Sequence, residues 1–104
     1  MNQRIAINGF GRIGRTVLRA WTARESLRQT VSIAAINEIA DPETVAHLTQ
    51  YDSTHGRFPG TVARTDDALI VNGQSIALLR HTHIDKLPWR DLGIDLVIES
   101  TGTF

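Results

Sequence analysis

The chain has 104 residues, of which 41% are hydrophobic and 21% are charged, and it contains no cysteine. Eleven basic residues balance eleven acidic ones, so no net charge favours nucleic acid or a membrane surface as a partner. The absence of cysteine excludes disulfides, thiolate metal sites and thiol nucleophiles within these residues. Because no apolar run reaches transmembrane length and no signal peptide is evident, the cytoplasm is the expected compartment.

The first predicted element is a short apolar strand at residues 5–7, which runs directly into a glycine-rich turn. Gly9, Gly11 and Gly14 form the pattern G-x-G-x-x-G, and a helical pattern begins at Arg12. In dinucleotide-binding units these glycines permit the tight turn, the approach of the pyrophosphate to the backbone, and the packing of helix on strand, respectively. The N–H groups and the dipole of the helix start would hold the diphosphate. This context favours a dinucleotide site over a turn without a ligand.

The predicted first helix combines an apolar stripe with a basic side. Its stripe consists of Ile13, Val17, Leu18 and Trp21. On the other side, Arg12 lies beside the pyrophosphate site and either binds there or faces solvent. Arg15 and Arg19 are expected to face solvent.

A β-branched run at residues 31–36 predicts the second parallel strand, joined to the first by a right-handed crossover. Glu38 follows its end, where a carboxylate accepts hydrogen bonds from the adenosine ribose hydroxyls. The same carboxylate repels a 2′-phosphate, because like charges about 4 Å apart cost about 4 kcal/mol at an effective dielectric constant near 20. The sequence therefore predicts NAD rather than NADP. The alternative is that Glu38 is a solvated loop acid.

The next predicted element is a short helix that begins at an aspartate followed by a proline. Asp41 and Pro42 are typical of the N-cap and the first helical position. Val45, Leu48 and Tyr51 are expected to face inward from this helix.

Three short strands are then predicted at residues 61–64, 68–71 and 75–79. Asn72 and Gly73 form the dipeptide that a type I′ hairpin turn favours, because both of its central residues need positive φ. These strands predict a small antiparallel meander inserted after the second helix.

A last apolar strand at residues 95–99 is followed by Ser100, Thr101 and Gly102, at the edge where ligands sit in open α/β sheets. The predicted fold class is α/β, with a Rossmann-like, mostly parallel sheet that contains the antiparallel meander. Since the chain stops where a parallel strand should lead into a helix, we expect one domain, residues 1–104, that is incomplete at its C-terminus. Exposed sheet edge would then promote dimerisation of the fragment.

The histidines predict neither a metal site nor a catalytic triad. His81 and His83 are one residue apart, but no third ligand is evident nearby. His55 lies with Ser53 and Asp52 in one loop, whereas triads are assembled from residues distant in sequence. A turn held by side chain to backbone hydrogen bonds is the better interpretation of that loop.

Several segments together resemble the amino-terminal half of the glyceraldehyde-3-phosphate dehydrogenase family. The segments are INGFGRIGR at residues 7–15, AINE at 35–38, AHL at 46–48, YDSTHGRF at 51–58 and ESTGTF at 99–104. Within the family, Asn37-Glu38 and LPWRDLG at residues 87–93 look more like the erythrose-4-phosphate dehydrogenases, which oxidise erythrose 4-phosphate to 4-phosphoerythronate. That subgroup would connect the enzyme with pyridoxine biosynthesis. The hairpin sequence IVNG at residues 70–73 is closer to the glycolytic, phosphorylating members.

The resemblance also implies a set of cofactor contacts. The backbone of residues 10–13 would hold the pyrophosphate, Glu38 the adenosine ribose, and residues 100–102 the nicotinamide side. The family often has an arginine near the adenine where this chain has Thr82, and the nearest arginine here is Arg80. The implied NAD-binding residues are Asn8, Gly9, Phe10, Gly11, Arg12, Ile13, Gly14, Asn37, Glu38, Thr82, Ser100, Thr101 and Gly102.

The family's chemistry uses a cysteine thiolate and a histidine base, and this chain has no matching residue for either. We therefore expect these residues to bind NAD without turning over a substrate. In the full-length enzyme a separate catalytic domain would oxidise a small sugar phosphate, and the family usually forms homotetramers. A stand-alone nucleotide-binding regulatory module is the alternative from another functional class.

Overall fold

The computed structural model describes residues 3–52, 56–82 and 87–101. The strands are β1 (Gln3–Asn8), β2 (Val31–Asn37), β3 (Tyr51–Asp52), β4 (Gly56–Arg57), β5 (Val62–Arg64), β6 (Ala68–Val71), β7 (Gln74–Leu79) and β8 (Leu96–Glu99). The helices are α1 (Arg12–Ala23), α2 (Glu25–Thr30) and α3 (Pro42–Gln50). None of these three helices has the length and apolar character that a membrane span requires.

The main sheet has the strand order β5-β6-β7-β2-β1-β8. β1 pairs in parallel with β2 on one side and with β8 on the other. Parallel neighbours need a crossover connection, and α1 and α2 supply it between β1 and β2. The predicted Rossmann-like α/β fold, with a mostly parallel sheet and an antiparallel meander, is confirmed. The short helix α2 and the β3–β4 pair add to the predicted elements.

The meander is continuous with the main sheet. β5, β6 and β7 pair antiparallel in turn, and β7 then pairs in parallel with β2. At the β6–β7 turn, Asn72 and Gly73 have φ angles of 51° and 81°, as the predicted type I′ turn requires. Since β7 is parallel to β2, residues 80–82 lie at the same edge of the sheet as Glu38.

Helix α1 packs on the sheet through Leu18 and Trp21, which are buried as predicted. The Trp21 indole N–H donates to the Val31 carbonyl at 2.8 Å, which satisfies a polar group that burial would otherwise leave unpaired. Ile13 was expected in the same apolar stripe, but it is 66% exposed, and that expectation is wrong. In the first turn of α1, Gly14 is the residue that is buried against β1, and Ile13 beside it lies on the exposed side.

Arg15 and Arg19 are half-buried, so the expectation that they face solvent is also wrong. The Arg19 guanidinium donates to the carbonyls of Thr49 at 3.1 Å and Gly56 at 2.9 Å. It also lies over the ring of Phe58, 5.5 Å from the ring centre. The end of α3 and the β3–β4 pair therefore cover this face of α1, and they supply the acceptors that a half-buried cation needs.

The buried face of α3 is formed by Val45 and Thr49, which lie one helical turn apart. The Thr49 hydroxyl is satisfied by the Val45 carbonyl at 2.7 Å. Tyr51 was expected to face inward, but it is 47% exposed and belongs to β3. The helix ends at Gln50, and the change to extended backbone turns the next side chain away from the core.

The N-cap of α3 makes the stability of the fold depend on pH. The Asp41 carboxylate accepts hydrogen bonds from the Thr44 N–H at 2.8 Å and from the Thr44 hydroxyl at 3.2 Å, and these bonds lower its pKa below the usual 3.8. A pKa lowered by folding stabilises the fold above the unfolded-state pKa, and this stabilisation is lost as the pH falls through the folded-state value. Asp41→Asn keeps an N-cap acceptor that does not titrate. We therefore expect this variant to lose less stability than the unsubstituted protein below about pH 4, measured by urea unfolding at several pH values. Equal losses in acid would contradict the prediction.

Candidate functional site

The candidate site lies at the carboxyl edge of the parallel strands. Asn8 at the end of β1 is in register with Asn37 at the end of β2 and with Glu99 at the end of β8. The glycine turn follows β1, Glu38 follows β2, and Ser100 follows β8. Because all three strands are parallel, the topology brings these predicted residues together, as open α/β sheets do at their ligand crevices.

The glycine turn is built around two close backbone approaches. Gly9 has φ +88°, and a Cβ added there would lie 2.6 Å from the Cα of Thr101. A Cβ on Gly14 would lie 2.8 Å from the carbonyl oxygen of Gly9. Gly11 differs, because the nearest atom to its Cβ would be 4.0 Å away. The first and third glycines are therefore required by packing, whereas the second leaves backbone open toward the crevice.

The start of α1 is open to an anion. Gly11 is the N-cap residue and provides no side-chain cap, and the first turn contains no acidic residue. The N–H groups of a first helical turn have no acceptor within the helix, and the helix dipole places partial positive charge there. The exposed side chains of Arg12 and Ile13 flank this turn. The arrangement suits a phosphate group, which backbone donors at a helix start bind readily.

Phe10 contributes through its backbone, because its side chain is only 2% exposed and belongs to the core. Its N–H donates to Oε1 of Glu38 at 2.8 Å. The other carboxylate oxygen of Glu38 accepts from the Ala40 N–H at 3.1 Å. Two backbone donors thus orient the half-buried carboxylate. Since each carboxylate oxygen accepts two hydrogen bonds, one position on each remains for a ligand hydroxyl.

Two further groups lie beside Glu38. Ile39 is 61% exposed and offers an apolar surface next to the carboxylate. Arg80 donates to the carbonyl of Ile39 at 3.4 Å, and its charge also acts on Asp41. Because β7 pairs with β2, the Arg80 guanidinium lies near Glu38 although the two residues are far apart in the sequence.

A chain of side-chain hydrogen bonds crosses the carboxyl edge under the crevice, and we call it the amide relay. It runs from the His81 N–H to Asn37 Oδ1 (2.9 Å), from Asn37 Nδ2 to Asn8 Oδ1 (2.8 Å), and from Asn8 Nδ2 to Glu99 Oε2 (2.8 Å). The Thr101 N–H closes it by donating to Glu99 Oε1 at 3.2 Å. Asn8 and Asn37 are 5% and 6% exposed, so both amides are buried within the relay.

The charge of Glu99 is favoured by this arrangement. Partial burial raises the pKa of the carboxyl, but hydrogen bonds from Asn8 and from the hydroxyl and N–H of Thr101 outweigh it. The pKa of Glu99 therefore lies below its usual 4.5. The relay thus ends on a carboxylate at neutral pH.

Most of the other predicted site residues also lie at this edge. The Ser100 hydroxyl donates to the carbonyl of Gly9, and the Ser100 N–H donates to the carbonyl of Asn8 at 2.8 Å. Thr82 is exposed just beyond His81, while Gly102 lies outside the described residues. His55 and His83 also lie outside them. Among the residues that are described, no group of three or more metal-binding side chains occurs.

Sequence reasoning missed the role of Glu99 and the coupling of the two asparagines. The available signal was the recurrence of a polar residue at the ends of three parallel strands, at positions 8, 37 and 99. Sequence reasoning also failed to predict the burial of the Nε atom of Arg15. It is buried and has no hydrogen-bond partner among residues 3–52, 56–82 and 87–101.

A family model and two curated relatives that match this chain carry the name glyceraldehyde-3-phosphate dehydrogenase. The family model described as "Glyceraldehyde 3-phosphate dehydrogenase, NAD binding domain" matches residues 3–104. The chain is 50% identical over 101 residues to a glyceraldehyde-3-phosphate dehydrogenase of Thermotoga maritima, covering 97% of this chain and 30% of that protein. It is also 50% identical over 104 residues to the chromosomal glyceraldehyde-3-phosphate dehydrogenase of Cupriavidus necator, covering 100% of this chain and 31% of that protein. The chain thus spans less than a third of the length of these curated relatives.

Proposed function

Because this chain belongs to the glyceraldehyde 3-phosphate dehydrogenase family, in the part that forms the NAD-binding domain, we propose that it supplies the cofactor site of an NAD-dependent aldose-phosphate dehydrogenase. The observation that carries the proposal is the open start of α1 next to a carboxylate held by two backbone N–H groups. The first suits a pyrophosphate and the second suits ribose hydroxyls.

The residues present fit an adenine dinucleotide. A Cβ on Gly11 would have space, so the backbone there is accessible to a phosphate, while Gly9 and Gly14 keep the turn tight. We propose that backbone groups of residues 9–14 hold the pyrophosphate and that Glu38 accepts from the adenosine ribose. Residues 100–102 would lie toward the nicotinamide, and Thr82 toward the adenine. When bound, NAD supplies the acceptor for a hydride from the substrate.

Glyceraldehyde 3-phosphate and erythrose 4-phosphate are the two candidate substrates. The names of the relatives that are half identical to this chain support the first. The pair Asn37-Glu38 and the segment LPWRDLG at residues 87–93 support the second, and with it a place in pyridoxine biosynthesis. Comparing kcat/KM for the two aldehydes, with and without inorganic phosphate, in the full-length protein would decide between them.

The absence of cysteine suggests that cofactor binding and catalysis belong to different parts of a longer protein. Without a cysteine, these residues supply no thiolate to attack an aldehyde. We propose that the chain binds the cofactor and that catalysis resides elsewhere in a longer protein, a homo-oligomer in the cytoplasm. Cofactor-dependent aldehyde oxidation by these 104 residues alone would refute that division. A regulatory module with no catalytic partner is the second candidate, and a reading frame that ends at this chain would favour it.

Calorimetric titration of the purified protein with NAD and with NADP tests the cofactor site directly. We expect NAD to bind more than tenfold more tightly, because even half of an unscreened repulsion of about 4 kcal/mol between Glu38 and a 2′-phosphate exceeds 1.4 kcal/mol. Absence of NAD binding, or equal affinities for the two cofactors, would overturn the proposed site.

A further inference from the structure

The amide relay uses the polar atoms of two residues that the sequence assigned to cofactor contacts. Asn37 Oδ1 accepts from the His81 N–H, and Asn37 Nδ2 donates both to Asn8 and to the His81 carbonyl at 3.0 Å. An amide nitrogen has two hydrogens, so Asn37 has no donor left for a ligand. Asn8 engages its oxygen with Asn37 and one of its two amide hydrogens with Glu99. These side chains act on other protein groups.

The two ends of the relay determine its direction. At one end, the His81 N–H can only donate, so Asn37 must present its oxygen there and its nitrogen to Asn8. At the other end, the Glu99 carboxylate can only accept, so Asn8 must present its nitrogen there and its oxygen to Asn37. Both requirements agree, and every donor faces an acceptor. Reversing either amide would place two donors or two acceptors against each other.

The relay connects the two sides of the crevice. His81 lies on the segment that follows β7, against the Asn37 that precedes Glu38, and Thr101 lies against Gly9 on the segment that follows β8. We propose that Asn8, Asn37 and Glu99 are positioning residues, and that the charge of Glu99 orients both amides so that these two walls are held at the spacing that NAD requires. This inference rests on the proposed function, because it assumes that the crevice holds NAD.

Single substitutions should break the relay. In Asn37→Asp, a second carboxylate oxygen faces the Asn8 oxygen, and Asn8 cannot turn because Glu99 must accept from its nitrogen. In Glu99→Gln, the new amide nitrogen faces a donor, either Asn8 Nδ2 or the Thr101 N–H. We expect each variant to bind NAD about tenfold more weakly, because each disrupts a hydrogen bond of the relay; the two asparagines are buried, whereas Glu99 is exposed.

The double variant Asn37→Asp/Glu99→Gln should restore binding by reversing the relay. The new carboxylate accepts from the His81 N–H and from a turned Asn8. The Asn8 oxygen then accepts from the new amide, whose own oxygen accepts from the Thr101 N–H. The His81 carbonyl loses its donor and faces a carboxylate oxygen instead; because His81 is exposed, we expect this carbonyl to turn toward water. We expect an NAD affinity within about threefold of the unsubstituted protein, where independent effects would give about a hundredfold loss.

Calorimetry with NAD and thermal unfolding should be performed on all four proteins, with Asn72→Asp and Glu43→Gln as controls. Both control positions are exposed and are not members of the relay, and they carry the same chemical changes. Residues with a merely structural role would change the unfolding temperature and leave the NAD affinity of the folded protein unchanged, which would overturn the inference. Additive affinity losses would also overturn it, while the proposed function would stand.

The remaining outcomes are equally decisive. If the single variants do not fold, a folded double variant with restored affinity supports the relay, and an unfolded double variant overturns it. If the unsubstituted protein does not bind NAD, the proposed function fails and the positioning role fails with it.

Discussion

Gly9→Ala is expected to destabilise the fold by about 3 kcal/mol and to weaken NAD binding more than tenfold. The added Cβ would meet the Cα of Thr101 at 2.6 Å and its nitrogen at 2.7 Å, and both atoms belong to the backbone of the neighbouring segment. A flexible side chain could move aside, but here the segment itself must shift. The left-handed φ of +88° adds a conformational cost for any residue with a Cβ. Urea unfolding and calorimetry measure the two effects.

Gly73→Ala is the matched control for this prediction. Gly73 has a similar φ of +81°, but a Cβ there would have no atom within 4 Å. Its substitution should cost only the conformational term, about 1 kcal/mol, and leave NAD affinity unchanged. The difference between the two variants isolates the close approach of Gly9 to Thr101. Equal costs would show that this approach does not limit the turn.

Glu38→Gln is expected to reduce the preference for NAD over NADP about thirtyfold. The substitution keeps the length of the side chain and an oxygen that accepts from the Phe10 N–H, while it removes the negative charge that opposes a 2′-phosphate. Half of the unscreened repulsion is about 2 kcal/mol, which corresponds to that ratio. NAD itself should bind more weakly, because the amide nitrogen that replaces Oε2 accepts neither from the Ala40 N–H nor from a ribose hydroxyl, and the remaining neutral oxygen accepts less strongly than a carboxylate.

The control for this prediction is Glu43→Gln, which removes the same charge from the exposed first turn of α3. It should leave both cofactor affinities unchanged. Dissociation constants for NAD and NADP, measured by calorimetry at one ionic strength, give the ratio for each protein. An unchanged ratio in Glu38→Gln would show that the carboxylate does not lie at the ribose.

Local sequence signals predicted the elements that depend on near neighbours. The glycine turn and the start of α1 follow from three glycines within six residues. The N-cap of α3 follows from Asp41 and its bond to Thr44, three residues away. The hairpin turn follows from Asn72 and Gly73. Each of these depends on backbone geometry over one turn, which residue types determine directly.

Predictions about side-chain surroundings failed where the neighbours are distant in the chain. Arg19 was expected in solvent, but its acceptors lie 30 and 37 residues later. Ile13 fits the helical period of the core face, yet the sheet edge leaves it exposed. Periodicity gives the direction of a side chain around its own helix axis, and it contains no information about what covers that direction.

The strand–glycine–helix unit, the acid after the second strand and the α/β class could all be predicted from the residues, because short-range spacing and residue type encode these features. The pairing of β7 with β2, and the hydrogen bond between Asn8 and Glu99, 91 residues apart, depend on long-range contacts that spacing does not encode. Parallel pairing brings strand ends together across long loops, and burial then requires the polar groups that meet there to find partners. The candidate site lies at that edge because the parallel strands end there and their buried polar groups form hydrogen bonds with one another.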